Sequence, residues 1–430
     1  MSMTQVKQFS GFLGGLILRI LACILAGTVA LTLIFCLPQG NVRENMALSA
    51  AVFQEEGSYP TVNGGFSGQL DNQTDGIILM NAAFYSPLSP LQEAMLGMRD
   101  IIPGTEGVPE DIVRHYIQGE PFGDTEAYAR YWHGYVLYVR PLLMLTSYQG
   151  IRICNGILQA ALLGVLLWML VRRNREDLAL ACLICLLFLT PQAMFRSLQF
   201  TSCYCIMMTG AIAAVRQGGA PGRKEAWLFA YIGIATAYFD FLTYPIATLV
   251  FPAAICFCMR QCENWKHTLC RGIRLCFSWG VGYVGMWAGK WLLAGMITGI
   301  NVLGDASAQF VERSYAGSQS NGLLHGMYVA LVTNVRTCFE TPVTLILALA
   351  VMILLFLLLR QWKQRGFRLA ETAEILFPFI VLACIPVAWL AVTAQHATVH
   401  HWFTHRGLCA FVFAALCGLC QCLRTGSKPQ

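Results

Sequence analysis

Two carboxylates with a spacing suited to chemistry, Asp71 and Asp75, lie in the polar stretch 69–76 (QLDNQTDG). In a helix they would share one face, and in a turn they would stand at its two ends. The apolar run 77–80 (IILM) would anchor them at a membrane surface, where a carboxylate can act as a general base or bind a divalent cation with substrate phosphates. The same residue types also favour an ordinary turn. Residues 72–74 match an N-glycosylation sequon.

Basic and aromatic residues recur in the run 125–143, which closes the same polar segment. On a helical wheel the tyrosines and Trp132 cover one broad face, while Arg130, His133 and Arg140 gather on the other. This pattern predicts an interfacial helix whose aromatic side lies among lipid headgroups. Because guanidinium groups bind phosphates in two-pronged fashion, the basic face is a candidate phosphate or diphosphate site. The alternative is that it contacts only lipid headgroups or nearby carboxylates.

Asp240 stands at the end of an apolar run and is flanked by aromatic residues. An ionisable group in this position is energetically costly, which predicts a functional residue. The alternative is a structural ion pair with Arg196 or Arg336. Lys290 lies within another apolar run, and either reaches the membrane surface or faces a cavity and neutralises a substrate phosphate.

Four histidines and one arginine cluster in the stretch 395–406 (QHATVHHWFTHR). His396 and His400 are four residues apart, and so are the other two, so either pair could bind a metal in a helix. The spacing is similar to one histidine box of membrane di-iron enzymes, but those enzymes need several boxes and the remaining histidines form none. One interpretation is binding of a substrate phosphate by these histidines and Arg406. The other is a structural cluster at the membrane interface.

These candidates belong to a chain that is 56% hydrophobic and only 12% charged. Soluble domains carry roughly 25% charged residues, and the recurring runs of about 20 apolar residues are long enough to cross a bilayer. We therefore predict an all-α polytopic membrane protein. The net charge of +6 comes from basic loops that face the cytoplasm, so it does not indicate a nucleic-acid partner. Most of the 18 cysteines lie in apolar runs, where Cys packs as a small apolar residue.

The apolar runs predict about ten transmembrane helices in the plasma (inner) membrane, with both termini in the cytoplasm. The predicted parts are a cytoplasmic N-terminus with helix 1 (1–37), an extracytoplasmic loop carrying interfacial helices (38–150), membrane helices 2–7 (151–299), a second outer loop (300–341), and helices 8–10 with a cytoplasmic tail (342–430). Helix 3 is expected to run unbroken over 177–195. The 38–150 loop has 13 acidic residues, five Arg and no Lys or Cys. Its many Pro and Gly residues predict short elements.

This arrangement of many helices, a long outer loop after the first helix and basic residues in later outer loops resembles the GT-C superfamily of integral membrane glycosyltransferases. The segments 70–75 (LDNQTD), 128–134 (YARYWHG) and 240–243 (DFLT) are similar to stretches of uncharacterised bacterial multi-pass membrane proteins placed near this group. The resemblance implies transfer of a sugar from a polyprenyl phosphate or diphosphate carrier to an extracytoplasmic acceptor, in cell-envelope assembly. It implies a lipid-linked sugar donor and membrane lipids as partners. A divalent cation, Mg²⁺ or Mn²⁺, is an open expectation.

In the implied mechanism, Asp75 or Asp71 deprotonates the acceptor hydroxyl or orients it with a metal. The leaving phosphate would be stabilised by basic side chains, an electrostatic role that often dominates catalysis. The candidates for binding substrate or phosphate are Arg130, His133, Arg140, Asp240, His396, His400 and Arg406. Better-known members carry an Asp-Glu or Asp-x-Asp pair soon after helix 1, whereas here the candidates lie more than 30 residues beyond it. The base therefore stays open between the two aspartates.

Two other classes of function are alternatives to the enzyme. A transporter or flippase of an amphiphile or lipid-linked sugar needs polar or broken helices at mid-depth. The ionisable groups here concentrate at one side, which favours chemistry at the outer surface. A non-catalytic membrane subunit of glycan assembly would show the same general pattern.

Overall fold

The computed structural model describes residues 3–219, 221–260, 264–315, 322–340 and 369–425, together with 346, 349–353, 355–357, 359 and 360. The predicted eighth helix, 342–359, therefore lies partly outside the described residues, and those of its residues that are described are helical. The described part is almost entirely helical, and the sheet found in it has two short strands.

Short elements make up the segment between the first and second long helices, as its Pro and Gly content predicted. The bounds in this first third of the chain are α1 Met3–Phe35, α2 Val42–Glu56, α3 Asn72–Ala83, α4 Pro90–Leu96, β1 Met98–Ile101, α5 Val108–Tyr116, β2 Asp124–Ala127 and α6 Val136–Leu143. We call residues 38–147 the loop domain.

Mostly apolar helices make up the rest of the chain. Their bounds are α7 Tyr148–Arg172, α8 Glu176–Leu187, α9 Pro191–Arg196, α10 Leu198–Gln217, α11 Arg223–Phe239, α12 Ala247–Met259, α13 Trp265–Thr298, α14 Val302–Tyr315, α15 Leu323–Cys338, α16 Leu369–Val392, α17 Ala394–Val399, α18 His401–Thr404 and α19 Leu408–Thr425.

Five helical stretches within the described ranges are long and apolar enough to cross a membrane. They are Ser10–Phe35, Tyr148–Arg172, Leu198–Gln217, Ala370–Val392 and His401–Arg424. Large apolar side chains on the first of them point outward, with Leu18 and Leu25 being 67% and 66% exposed. An exposed apolar surface of this extent is what a lipid environment covers. These are the features of an all-α membrane protein.

The helix predicted over 177–195 is in fact two helices. α8 ends at Leu187, and Thr190 adopts a φ of +50° before α9 begins at Pro191. Proline is tolerated in the first turn of a helix, but it disfavours the helical conformation of the residue before it. The Thr190–Pro191 pair is therefore the local cause of the break.

The prediction of an interfacial helix over 125–143 is wrong. Residues 124–127 pair instead with 98–101 as an antiparallel ribbon, and the chain then turns through His133, whose φ is +58°, before α6 begins. Trp132 is buried and its indole N–H donates to the carbonyl of Met286 at 2.7 Å. The aromatic residues that the wheel placed among lipid headgroups thus hold the loop domain against α13.

Helices α11 and α13 approach each other closely through two glycines. A Cβ atom on Gly233 would lie 2.1 Å from the carbonyl oxygen of Trp279, and one on Gly282 would lie 2.3 Å from that of Ala230. Small residues allow the backbones of membrane helices to come this close. The contact fixes the end of α11 relative to the part of α13 that touches the loop domain.

Two features expected at the membrane surface lie inside the protein. Ile78 and Leu79 of the apolar run in α3 are almost fully buried in the core, so this run is not a bilayer anchor. Lys290 is also fully buried, and its Nζ donates to the carbonyls of Ala94 (3.1 Å) and Met95 (2.8 Å) in the last turn of α4. A cation is favourable at a helix C-terminus, so Lys290 has a structural role.

Candidate functional site

Asp75 lies inside the protein at the start of α10. Its Oδ2 accepts hydrogen bonds from the backbone N–H of Leu198 (2.8 Å) and the hydroxyl of Tyr148 (2.6 Å). Its Oδ1 accepts from the N–H of Gln199 (2.9 Å) and the hydroxyl of Ser197 (3.3 Å). A carboxylate has about four acceptor positions, and its charge is favourable at a helix N-terminus. Asp75 therefore caps α10 and keeps no acceptor position for a substrate proton.

An ion pair extends this network into α2 and α7. Arg152 binds both carboxylate oxygens of Glu56, at 2.7 and 2.8 Å, and donates to the hydroxyl of Tyr148 at 2.8 Å. Asn72 donates to Glu56 (3.0 Å) and to the carbonyl of Gly57 (2.8 Å). Because Asn72 is fully buried, the sequon at 72–74 is inaccessible to glycosylation in the folded protein.

Asp71 is the N-cap of α3, and it accepts fewer hydrogen bonds than Asp75. It accepts hydrogen bonds from the N–H (2.9 Å) and the hydroxyl (3.0 Å) of Thr74. Thr74 supplies both of these bonds, so Asp71 keeps acceptor capacity that Asp75 lacks. Burial raises the pKa of Asp71 to about 6; the Thr74 bonds oppose the rise and the charge of Asp75 adds to it. A carboxyl group with this pKa is suited to act as a general base near neutral pH.

The two aspartates do not fit a shared divalent-cation site. Each carboxylate is bound to its own donors, on different elements. In the described ranges no group of three or more His, Cys, Asp and Glu side chains is arranged to hold a metal ion.

Residues from the last third of the chain surround Asp71. The indole of Trp402 lies beside the carboxylate and acts to lower its pKa. The ring of Tyr59 packs edge-on against Trp402, with centroids 5.6 Å apart, and Phe66 packs against His401 at 4.7 Å. These contacts join α18 to the stretch of the loop domain that precedes α3.

The helix breaks at His400, between the two histidine pairs of 395–406, and neither pair belongs to a group of three or more potential metal ligands in the described ranges. His396 Nε2 contacts the carbonyl of Leu242 at 3.0 Å, and His401 Nδ1 contacts the hydroxyl of Thr337 at 2.8 Å. The rings of His396 and His400 lie next to each other, with centroids 4.9 Å apart. The imidazoles of His396 and His401 are thus engaged with protein groups.

Arg406 is fully buried and binds backbone carbonyls of three segments. It donates to Leu189 (3.3 Å), to Ser67 (3.1 Å) and to Trp402, and its guanidinium lies 3.9 Å from the ring centroid of Phe200. The break after α8 frees the Leu189 carbonyl, and an unpaired carbonyl in an apolar interior is costly. Arg406 therefore joins the broken helix to the loop domain, and it is not placed to bind a substrate phosphate.

The basic residues predicted to share one helical face point in different directions. Arg130 forms an ion pair with Asp305 of α14 at 2.9 Å. His133 is buried, and its two nitrogens contact the hydroxyl of Tyr135 (2.6 Å) and the carbonyl of Tyr128 (2.7 Å). Burial lowers the pKa of His133 to about 3, so the ring is neutral at pH 7. Neither residue is a free cation for phosphate.

Arg140 also binds backbone rather than a ligand. It is buried, and it donates to the carbonyls of Ala82 (3.2 Å) and Phe84 (3.0 Å) at the end of α3. These carbonyls have no partner within the helix. Arg140 therefore closes α3 against α6.

Asp240 is bound within its own turn. Its oxygens accept from the N–H (3.0 Å) and the hydroxyl (2.6 Å) of Thr243. The donors are in the turn itself, and not in Arg196 or Arg336, which the structural alternative named. Asp240 thus shapes the chain after α11.

We expect Asp305→Asn to change the free energy of unfolding by less than about 1 kcal/mol, because exposed ion pairs contribute little. The Asp305 side chain is 46% exposed. Thermal melting in lipid nanodiscs measures the change. Asp111→Ala is the contrasting variant, since Asp111 is buried and its removal leaves the Ile102 N–H and the Thr105 hydroxyl without their acceptor. Equal losses in the two variants would contradict a weak surface pair.

Arg313 of α14 is a basic residue that lies near Tyr131 and the histidines His396 and His400. Its guanidinium donates to the hydroxyl of Tyr131 at 2.5 Å. Burial, and then nearby positive charge that includes Arg313, lowers the pKa of His396 to about 3 and that of His400 to about 4. Both imidazoles are therefore neutral at pH 7 and lie within the electrostatic reach of Arg313.

Phe241 and Leu242 join the aromatic residues of the loop domain to the histidines. The ring of Phe241 packs against Tyr131 with centroids 5.0 Å apart, and the carbonyl of Leu242 contacts His396. Leu242 has a φ of +66°, a strained conformation for a bulky residue that persists only where the surroundings impose it.

These contacts connect one group of side chains. The ring of His400 packs against Trp402 with centroids 5.1 Å apart, Trp402 lies beside Asp71, and the charge of Arg313 reaches both His400 and Tyr131. We call Asp71, Tyr131, Arg313, His400 and Trp402 the rim cluster. It brings together two of the predicted site residues, Asp71 and His400.

Sequence reasoning did not single out Arg313 or Trp402. A signal for Arg313 was present, because Asp305 and Arg313 are eight residues apart and therefore lie within about 80° of each other on a helix. In the structure each binds a residue of the 128–134 turn. Trp402 carried no comparable signal, since its neighbour Asp71 is distant in the chain.

Comparisons with known proteins were made for the whole chain. No protein-family model, curated protein or solved structure matches it. A proposal for the function is therefore based on the contacts within the chain itself.

Proposed function

We propose that the protein is a membrane glycosyltransferase of GT-C-like architecture, acting on the extracytoplasmic side of the plasma membrane. It would transfer a sugar from a polyprenyl phosphate or diphosphate carrier to an acceptor hydroxyl. The observation that supports this proposal is the rim cluster, in which Asp71, with a pKa of about 6, is connected through Trp402 and His400 to the cation Arg313. Inverting sugar transfer needs a base for the acceptor and a positive charge for the leaving phosphate.

In this mechanism the acceptor oxygen attacks the anomeric carbon while its proton passes to Asp71. The bond between that carbon and the carrier phosphate breaks, and the electron pair stays on the phosphate oxygen. Arg313 stabilises the developing charge, and the hydroxyl of Tyr131, which accepts from Arg313, orients the guanidinium. The neutral imidazole of His400 is available to bind a sugar hydroxyl.

The assignment of roles differs from the one that the sequence suggested. Arg313 replaces Arg130, His133, Arg140 and Arg406 as the phosphate-facing residue, because those four are committed to protein partners. Asp71 rather than Asp75 is the base, because the oxygens of Asp75 accept four hydrogen bonds from the protein.

The test uses the full-length protein in lipid nanodiscs with a panel of polyprenyl-phosphate-linked sugars, and mass spectrometry follows donor consumption and product. We expect Arg313→Gln to lower kcat/KM for the donor about tenfold, since it removes a charge-assisted contact to the developing phosphate charge worth about 1.4 kcal/mol. Arg114→Gln is the matched control, because Arg114 forms ion pairs with Glu110 and Glu120 of its own segment. If the panel is neither bound nor consumed, the proposal fails.

A flippase is the second candidate, and the break between α8 and α9 is the observation that favours it. Broken helices often mark the substrate sites of transporters. Reconstituted vesicles separate the two functions. Movement of an intact lipid-linked sugar across the membrane, with no product formed, would support the flippase.

A further inference from the structure

A groove of about 370 Å³ lies between α7, α10 and α11 and is lined by residues other than the rim cluster. Its lining is mainly apolar and includes Leu158, Ile206, Ala213, Leu228, Ile232 and Ala235. Two lining residues, Leu158 and Tyr231, are 47% and 44% exposed. Because α7 and α10 have the length and composition of membrane spans, the groove opens towards the hydrocarbon of the bilayer.

Asn155 places one unpaired polar group in this apolar groove. The residue lines the groove and is 3% exposed, yet its Nδ2 has no hydrogen-bond partner within the described part of the chain. An unpaired buried donor is costly. The side chain therefore needs an acceptor oxygen from a molecule that enters the groove.

The position of Asn155 indicates which molecule this is. At 1.5 Å per residue, Asn155 lies about 10 Å along α7 from Tyr148. From there the groove follows α10 from Thr201 to Ala213, a rise of about 18 Å. One leaflet of the bilayer core is about 15 Å thick, half of about 30 Å. The groove thus has the length of one chain of a bilayer lipid, with the amide near the chain's polar end.

We propose that this groove binds one acyl chain of a glycerophospholipid, and that Asn155 donates a hydrogen bond from Nδ2 to the ester carbonyl oxygen. A polyprenyl chain fits less well, because it carries no carbonyl at the start of its chain. The bound lipid is distinct from the sugar donor, because this groove begins next to the Asp75 network at the start of α10 and is not lined by the rim cluster. The inference does not depend on the proposed sugar transfer.

Photocrosslinking tests where the chain lies. The probe is a phosphatidylcholine with a diazirine in one acyl chain, mixed into nanodiscs that contain the full-length protein. We expect adducts on the lining residues of α10 and α11, and at least a tenfold loss of these adducts in Ala235→Phe, which fills the groove. Leu25→Phe, on the exposed face of α1, is the matched control and should leave them unchanged. Unchanged adducts in Ala235→Phe would overturn the proposal.

A comparison of ester and ether lipids tests the hydrogen bond. The wild-type protein should retain the ester-linked probe about 2- to 10-fold better than its ether-linked analogue, which lacks the carbonyl. Asn155→Leu, of similar size, should remove this preference while adducts persist. Melting curves establish that each variant is folded, and Asn155→Ala replaces Asn155→Leu if that variant is not. Equal retention of both lipids by the wild type, or displacement of the probe by equimolar polyprenyl phosphate, would overturn the assignment.

Discussion

Replacing Asp71 by Asn should lower sugar transfer by about 10²–10⁴-fold, the factor that a general base contributes. The variant loses the basic oxygen but keeps a side-chain oxygen that accepts from Thr74, and Asn is as good an N-cap as Asp. Helix α3 should therefore remain capped and the variant should stay folded. Donor consumption, followed by mass spectrometry in nanodiscs, measures the loss.

The control for this experiment is Asp124→Asn, which removes a carboxylate of the loop domain on an exposed strand. It should transfer sugar at the wild-type rate. Full transfer by Asp71→Asn would exclude Asp71 as the base. A loss that comes with unfolding would instead place Asp71 with the structural carboxylates.

The same carboxyl should set the pH dependence of the reaction. A base must be unprotonated, so transfer should rise with pH around a midpoint of about 6, the pKa to which burial raises Asp71. The effect on stability has the opposite sign. Since the pKa in the folded state lies above the ordinary 3.8, the protonated carboxyl stabilises the fold below about pH 3.8, and this contribution is lost as pH rises through about 6.

Melting temperatures of the wild type and Asp71→Asn across pH 4–7 measure this linkage. The wild type should lose stability relative to the variant as the pH rises, because Asn stays neutral. Parallel curves would show that Asp71 titrates at its ordinary value. If the curves diverge as expected, the ionised form that is active is also the less stable form, because a buried charged carboxylate is energetically costly.

The membrane class and the short elements of the loop domain were predictable because hydrophobicity and turn content are local properties of the sequence. The stretch 125–143 shows where local reasoning stops. A helical wheel assumes a helix, but residues 124–127 find hydrogen-bond partners in 98–101. That pairing depends on the course of the chain between the strands, which periodicity does not report.

The buried cations show a second limit. Arg140, Lys290 and Arg406 each bind backbone carbonyls of segments far away in the chain. A carbonyl is present at every residue, so no pattern of side chains identifies it as the partner. From the sequence, these cations were predicted to bind phosphates or to reach water at the membrane surface. In the structure their partners are backbone carbonyls at the ends and breaks of helices.

Asp71 was predictable as a candidate, but the choice between it and Asp75 was not. The donors that occupy Asp75 come mainly from the start of α10, more than a hundred residues away. The indole beside Asp71 comes from α18, in the last third of the chain. The difference between a structural and a reactive carboxylate is thus made by long-range packing.

We expect Asp75→Ala to lower the free energy of unfolding by about 4 kcal/mol or more. The substitution leaves several buried donors without an acceptor, among them Tyr148, Leu198 and Gln199, and each such group costs about 1–3 kcal/mol. It also removes the negative charge at the start of α10. Denaturant or thermal unfolding in a defined detergent measures the loss. Asp75→Asn is the matched variant, and it should lose less because one acceptor oxygen remains.

The pH dependence of sugar transfer by Asp75→Asn then distinguishes a structural role of Asp75 from a role as the general base. If Asp75 only holds α3 against α10, transfer by this variant falls because Asp71 is displaced, but the rise with pH persists, with a midpoint below 6 because the charge of Asp75 that raises the pKa of Asp71 is gone. If Asp75 were the base, transfer would be lost together with the pH-dependent rise. A retained pH-dependent rise in Asp75→Asn, alongside a flat profile in Asp71→Asn, assigns the proton transfer to Asp71, the carboxylate that accepts fewer hydrogen bonds from its neighbours.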